Sequence, residues 1–133
     1  SEEIIEKLSD FSQPFPISEI SEKLAVVALK DEKFLKYTKK NMRFQRIKMT
    51  SQLELLGFEV FPSGSNNLFI KIPKKIDKKT FEKDLMNAGI SLVEGKNFSG
   101  FNNAFFRVSP RDEFTNKFFI KKISDIVGNY YLL

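Results

Sequence analysis

The stretch GISLVEGKNFSGFNNAFFRVSPRDEFTN, residues 89–116, decides how this chain is to be read. It predicts an apolar strand over residues 90–93, a Gly/Asn/Ser loop over 94–103, a second strand over 105–109, and a proline stop before a new helix. Side chains alternate along a strand, so Phe105 and Arg107 share one face while Phe106 and Val108 share the other. A guanidinium set among aromatic residues escapes the cost of an unpaired charge by an internal ion pair, by snorkelling to solvent, or by waiting for an anion. Its planar fork suits a carboxylate or a phosphate, gripped bidentately.

Toward the carboxy terminus a helix is expected over residues 112–127, with NYYLL after it as either a loose tail or a packed end. Toward the amino terminus, Asp77 reads as the N-cap of DKKTFEKDLMNAG, an amphipathic helix with Phe81, Leu85 and Met86 inward and Gly89 at its end. Residues 73–77 link it to a strand, LFIKI at 68–72, which follows the turn sequence PSGSNN and a strand at 58–61. Gly57 terminates the longest periodic segment, 32–56, a lysine- and arginine-rich helix of about 35 Å without a sustained heptad. Before it come a helix capped at Ser18 or, alternatively, Ser21 that reads as buried from its small residues, an extended FSQPFPIS with Pro14 and Pro16, and a short helix over 1–10.

Four short strands interleaved with helices imply an α+β layer, helices packed on a small mixed or antiparallel sheet. The first 56 residues hold no expected strand, so residues 1–56 read as a helical interdomain segment and 57–133 as a small α+β domain, together one unit that leans on something absent. A length of 133 residues fits one modest core. With 41% hydrophobic residues and 15 phenylalanines, the composition is that of a soluble globular domain. No apolar run reaches the roughly 20 residues of a membrane helix, and SEEIIEKL is neither a signal nor a transit peptide, so a cytosolic protein is expected, with no membrane partner. Without cysteine there are no disulfides or thiolate sites, and without histidine the commonest base and metal ligand are missing; no metal is expected. The charge of +5 arises from 22 basic against 17 acidic residues, and the lysine pairs at 39–40, 74–75, 78–79 and 121–122 read as solvated faces.

Motif order then resembles the carboxy-terminal part of fold-type I pyridoxal-phosphate enzymes, in the branch of histidinol-phosphate aminotransferase and threonine-phosphate decarboxylase. SEEIIEKLSDFSQPFPIS resembles the helix and Gln-Pro-aromatic turn that follow the large domain, and ALKDEKFL with the long basic helix resembles the interdomain helices. LELLGFEVFPSGSNNLFIKI is similar to the entry into the small-domain sheet, with Asn66 at the family's Asn. Residues 89–116 match without gaps through Gly89-Ile90, Asn97-Phe98, Gly100, the aromatic pair before Arg107, Arg111 and Asn116.

The resemblance implies that Arg107 grips the α-carboxylate of an amino-acid substrate. Arg111 falls where the decarboxylase branch carries an arginine, which implies a phosphate or second-carboxylate contact; a surface salt bridge to Asp112 or Glu113 is the alternative. Where the family has a phosphate-binding arginine after the strand that starts at Ile90, this chain has Val93 and Glu94, and Lys96 could substitute as a point charge, next to Asn97 as a further substrate contact. Pyridoxal 5'-phosphate, its Schiff-base lysine, pyridinium aspartate and phosphate cup would lie before Ser1, so no catalytic or cofactor-binding residue is expected here; Lys7 and Lys23 sit on helices used structurally. What is implied is the clamping domain of a homodimeric transaminase, inactive alone and partnered by its own large domain. Two other readings stay open, a stand-alone basic module stacking RNA bases on Phe98, Phe101, Phe105 and Phe106, and a helical domain docking through residues 32–56. A decarboxylase of an O-phospho amino acid is the alternative chemistry.

Overall fold

A computed structural model of the chain describes residues 2–9, 11, 16–102 and 104–131. The order is α1 (Glu2–Ser9), α2 (Glu19–Lys30), α3 (Glu32–Leu55), β1 (Glu59–Phe61), β2 (Leu68–Lys71), α4 (Lys78–Asn87), β3 (Val93–Glu94), a 3-10 turn (Gly95–Asn97), β4 (Phe105–Val108) and α5 (Glu113–Tyr131). The expected α+β class is what forms. The expected Gln13-Pro14 turn, with residues 12–15 of the extended FSQPFPIS segment, and the last two residues of NYYLL lie outside the described residues.

Local chemistry sets most boundaries. Ser18 accepts from the Ser21 amide at the start of α2, and Asp77 accepts from the Thr80 amide at 2.9 Å at the start of α4. Helices α3 and α4 both end on a glycine in the left-handed region, Gly57 at φ +85 and Gly89 at φ +74. The following amides reach back to the last turn, Phe58 N–H to Leu53 O at 3.1 Å and Ile90 N–H to Leu85 O at 2.9 Å, which closes each helix with a Schellman-type bond.

The strands form one antiparallel sheet in the order β1-β2-β4-β3. Leu68 and Ile70 of β2 pair with Val108 and Phe106 of β4, and these four side chains are buried on one face. Against them pack Met49 and Leu53 from the second half of α3, Phe81 and Leu85 from α4, and Ile123, Ile126 and Val127 from α5. The other face carries Glu59 and Phe61 of β1, Phe69 and Lys71 of β2, Phe105 and Arg107 of β4, and Val93 of β3, because alternation sends every second residue outward.

By internal packing the chain divides into Ser1–Thr38 and Lys39–Leu133, a boundary inside α3. The core just described belongs wholly to the second unit. In the first, α1 and α2 have no buried residue, and Ile20, Leu24, Val27 and Leu29 are exposed. The expectation that α2 is buried is therefore corrected: small residues permit close packing, but among the described residues its apolar side chains are exposed.

Two boundaries differ by more than a residue, and one side chain faces the other way. Only Val93–Glu94 joins the ladder, not 90–93; Ile90 and Leu92 instead pack half-buried against the core edge. Helix α5 continues through Tyr131, since Tyr130 packs on the core and its hydroxyl donates to Asp84 of α4 at 3.0 Å. Met86 points outward at 73% exposure, leaving Phe81 and Leu85 as the buried stripe of α4.

Candidate functional site

Arg107 sits at the third position of β4, between Phe69 of β2 and Val93 of β3 in the two registers. Both cross-strand neighbours are apolar and on its own face, so neither offers a counter-charge. Among the described residues its side chain has no ion pair and no hydrogen bond; its guanidinium carbon lies 5.8 Å from the centroid of the Phe98 ring. Its side chain is exposed, and it borders two open hollows.

The first hollow, about 300 Å³, is lined by Pro62, Ser63, Ser65 and Asn67 of the turn before β2 and by Phe69, Phe98 and Phe101. The turn is held by its own bonds: Ser63 Oγ donates to the Asn67 carbonyl at 2.5 Å, and Ser65 Oγ accepts from the Asn67 amide at 3.0 Å. Ser109 Oγ donates to Asn67 Oδ1 at 2.6 Å, which ties the turn to the end of β4. The rings beneath form a shelf on the outer face of the sheet. Phe69 and Phe105 stack with centroids 5.7 Å apart, and Phe101 meets Phe69 edge-on at 4.7 Å.

The second hollow, about 430 Å³, brings Arg107 together with Arg111 and adds Ser91, Ser109 and Thr115. The backbone of Arg111 is fixed by Asn116, whose Oδ1 accepts from its amide at 2.8 Å and whose Nδ2 donates to its carbonyl at 2.9 Å. Asn116 Nδ2 also donates to Gln45 of α3 at 3.0 Å, a bond between two buried side chains. The acids beside Arg111 are engaged elsewhere: Asp112 caps α5 through Thr115, and Glu113 pairs with Lys48 and Lys117. Both carboxyls are held below their ordinary range, Asp112 chiefly by the Thr115 hydroxyl and Glu113 chiefly by Lys48.

The other expected contacts lie apart from both hollows. Lys96 Nζ pairs with Glu94 Oε2 at 2.5 Å. That pair raises the lysine pKa and lowers that of Glu94, and the Glu94 carboxylate in turn pushes the carboxyl of Glu82 on α4 upward. Asn97 is exposed in the 3-10 turn, and Asn66 Oδ1 accepts from Asn67 Nδ2 at 3.1 Å. Sequence reasoning gave Phe98 only as one of four candidate stacking rings and as part of the Asn97-Phe98 match; its place beside Arg107 was not foreseen. Among the described residues no cluster of carboxylates could hold a metal. Neither hollow has a lysine or an aspartate in its lining.

The chain belongs to the class I and II aminotransferase family, which it matches over residues 1–123. Within that family it is similar to histidinol-phosphate aminotransferases: 28% identical over 126 residues to that of Moorella thermoacetica, covering 95% of this chain and 32% of the relative. It is 34% identical over 71 residues to histidinol-phosphate aminotransferase 2 of Rhizobium meliloti, covering 53% and 20%. The fold is that of the histidinol-phosphate aminotransferase from Clostridium acetobutylicum, with a TM-score of 0.76 at 23% identity over 97% of this chain and 39% of that one. A decarboxylase from Sulfurospirillum multivorans shares it at a TM-score of 0.70 and 20% identity, over 96% and 37%. The chain thus spans about a third of the length of the curated relatives it matches.

Proposed function

We propose that this chain is the substrate-clamping part of a pyridoxal-phosphate-dependent aminotransferase of the histidinol-phosphate aminotransferase kind, and that Arg107 binds the carboxylate of its amino-acid substrate. The observation that carries this is the state of Arg107: exposed at the edge of two hollows, flanked by apolar side chains, and free of acidic partners among the described residues. An arginine with a structural job would spend its fork on a carboxylate of its own protein; this one leaves it available for an incoming acid. Family membership supports the cofactor, and the lining of both hollows supports its being held by residues other than those described, on a large domain. The share of this chain is to bind and orient. The same reading has the whole protein cytoplasmic and homodimeric.

In the full-length protein, Arg107→Ala should raise the KM for the amino acid about 10- to 100-fold, the loss of one charge-assisted contact of roughly 1.5–3 kcal/mol. Absorbance of the bound cofactor should stay at wild-type occupancy. An unchanged KM would sink the assignment.

One observation favours a second reading. Arg111 shares the larger hollow with Arg107 and its neighbouring acids are occupied, so two guanidinium groups stand ready at one opening. That arrangement suits a substrate with two anionic groups, such as an O-phospho amino acid, and a decarboxylase. Release of carbon dioxide from O-phospho-L-threonine without transfer of its amino group decides for this reading. Base stacking finds less support, because Phe106 is core and Phe98, Phe101 and Phe105 spend their rings on one another and on Phe69.

A further inference from the structure

We infer that Phe98 is a positioning residue for Arg107: its ring face takes the place a carboxylate would otherwise have in aiming the guanidinium, and so leaves the fork free for substrate. The inference rests on the carboxylate-clamp assignment and adds a residue to it.

An exposed arginine on a sheet surface has several rotatable bonds, and an unguided side chain would lose rotamer entropy on every binding event. Internal acids are the usual guide, but an acid here would compete with the substrate acid for the same donors. The outer face supplies a ring instead. Phe98 lies 5.8 Å from the Arg107 guanidinium carbon, within range of a cation–π contact, which orients the cation without consuming an N–H donor.

The ring itself is held from two sides. It meets Phe69 edge-on at 5.8 Å with an interplanar angle of 89°. Its backbone is fixed by the bond from its amide to the Gly95 carbonyl at 2.8 Å and by the bond its own carbonyl accepts from the Phe101 amide at 3.2 Å. Gly95 in turn is clamped against β4. A Cβ there would meet the Asn102 carbonyl oxygen and Phe105 Cβ, each at 2.6 Å, so the turn that presents Phe98 fits in one place only. Beyond Gly95, the Lys96–Glu94 pair anchors the same turn to β3. The path from Gly95 to Phe98 to Arg107 is therefore a rigid mount that ends on a free cation.

The test uses the full-length protein that carries this chain, with Phe98→Leu, Phe98→Ala and Phe98→Tyr beside Arg107→Ala. The readouts are kcat and KM for the amino acid and the inhibition constant of propionate, which reports carboxylate capture alone. Leucine keeps apolar bulk without a π face, and tyrosine keeps the face. Phe98→Leu and Phe98→Ala should each raise KM and the propionate constant about fivefold with kcat within about twofold, the scale of one exposed cation–π contact, while Phe98→Tyr restores both. Wild-type constants in Phe98→Leu would overturn the inference, since packing would then be the whole role of the ring; so would a fall in kcat at constant KM. If Phe98→Leu is silent while Arg107→Ala raises KM, only the positioning role is lost. If Arg107→Ala is silent as well, the clamp assignment falls with it.

Discussion

At the scale of single residues, the side chains that carry charge or a hydroxyl divide into those satisfied inside the protein and those left for something else. Tyr130 belongs to the first group. Its hydroxyl donates to Asp84 at 3.0 Å, and burial together with that carboxylate pushes its pKa from 10.0 to about 12. The folded state thus favours the neutral phenol. Its stabilising contribution is complete below the unfolded pKa of 10.0 and is lost as pH rises through about 12. Urea melts of wild type and Tyr130→Phe should differ by about 1 kcal/mol at pH 7, and the gap should shrink steadily between about pH 10 and pH 12. A gap independent of pH would mean that the phenol titrates alike in the folded and unfolded states, so that folding does not raise its pKa. Arg107 belongs to the second group and was legible in the sequence, because strand alternation alone puts it on the face of Phe105 and opposite Phe106. The pairing of Lys96 with Glu94 and the seat of Phe98 were not legible, since both depend on where a ten-residue loop turns back on the sheet, and that is set by the close approach of Gly95 to Phe105.

At the scale of elements, the joints between helices and loops decide how firmly the site is built. Asn116 is the joint that matters most to Arg111: its amide spans the Arg111 amide and carbonyl and reaches Gln45 on α3. Replacing Asn116 by alanine strands a buried Gln45 oxygen and two backbone groups at once, each costing the desolvation of an unpaired polar atom. Chemical denaturation of Asn116→Ala should show a loss of about 2–4 kcal/mol. A loss under about 0.5 kcal/mol would mean that water replaces the side chain and that the Arg111 loop has other supports. The caps at Ser18 and Asp77 and the glycine stops at Gly57 and Gly89 could be read in advance because each is decided within four or five residues. The short β3 and the long α5 could not. β3 is cut to two residues because Ile90 and Leu92 find burial at the core edge, and α5 is lengthened because Tyr130 finds Asp84, and both partners are remote in sequence.

At the scale of the whole molecule, stability is unevenly distributed. Every residue of the hydrophobic core lies in Lys39–Leu133, from Met49 to Val127. The helices of Ser1–Thr38 are held by their own hydrogen bonds and by exposed i,i+4 pairs such as Lys7–Glu3 and Lys23–Glu19. Such pairs contribute only about 0.3–0.5 kcal/mol each, and helices of 8 and 12 residues are at or below the length at which an isolated helix persists in water. That asymmetry was partly visible beforehand: a first half with no expected strand implied a segment that leans on something absent, although α2 was read as already buried. Amide hydrogen exchange on the 133-residue chain should therefore show α1 and α2 exchanging within about 100-fold of an unstructured peptide, while β2, β4 and the end of α3 around Met49 and Leu53 require global unfolding. In the full-length protein the same α1 and α2 amides should gain several orders of magnitude of protection, because the apolar residues exposed here, Ile20, Leu24, Val27 and Leu29, would be covered by the large domain. Equal, strong protection of α1 and α2 in the short chain would show that the two units fold as one cooperative body, and absence of added protection in the long one would remove the need for a covering domain.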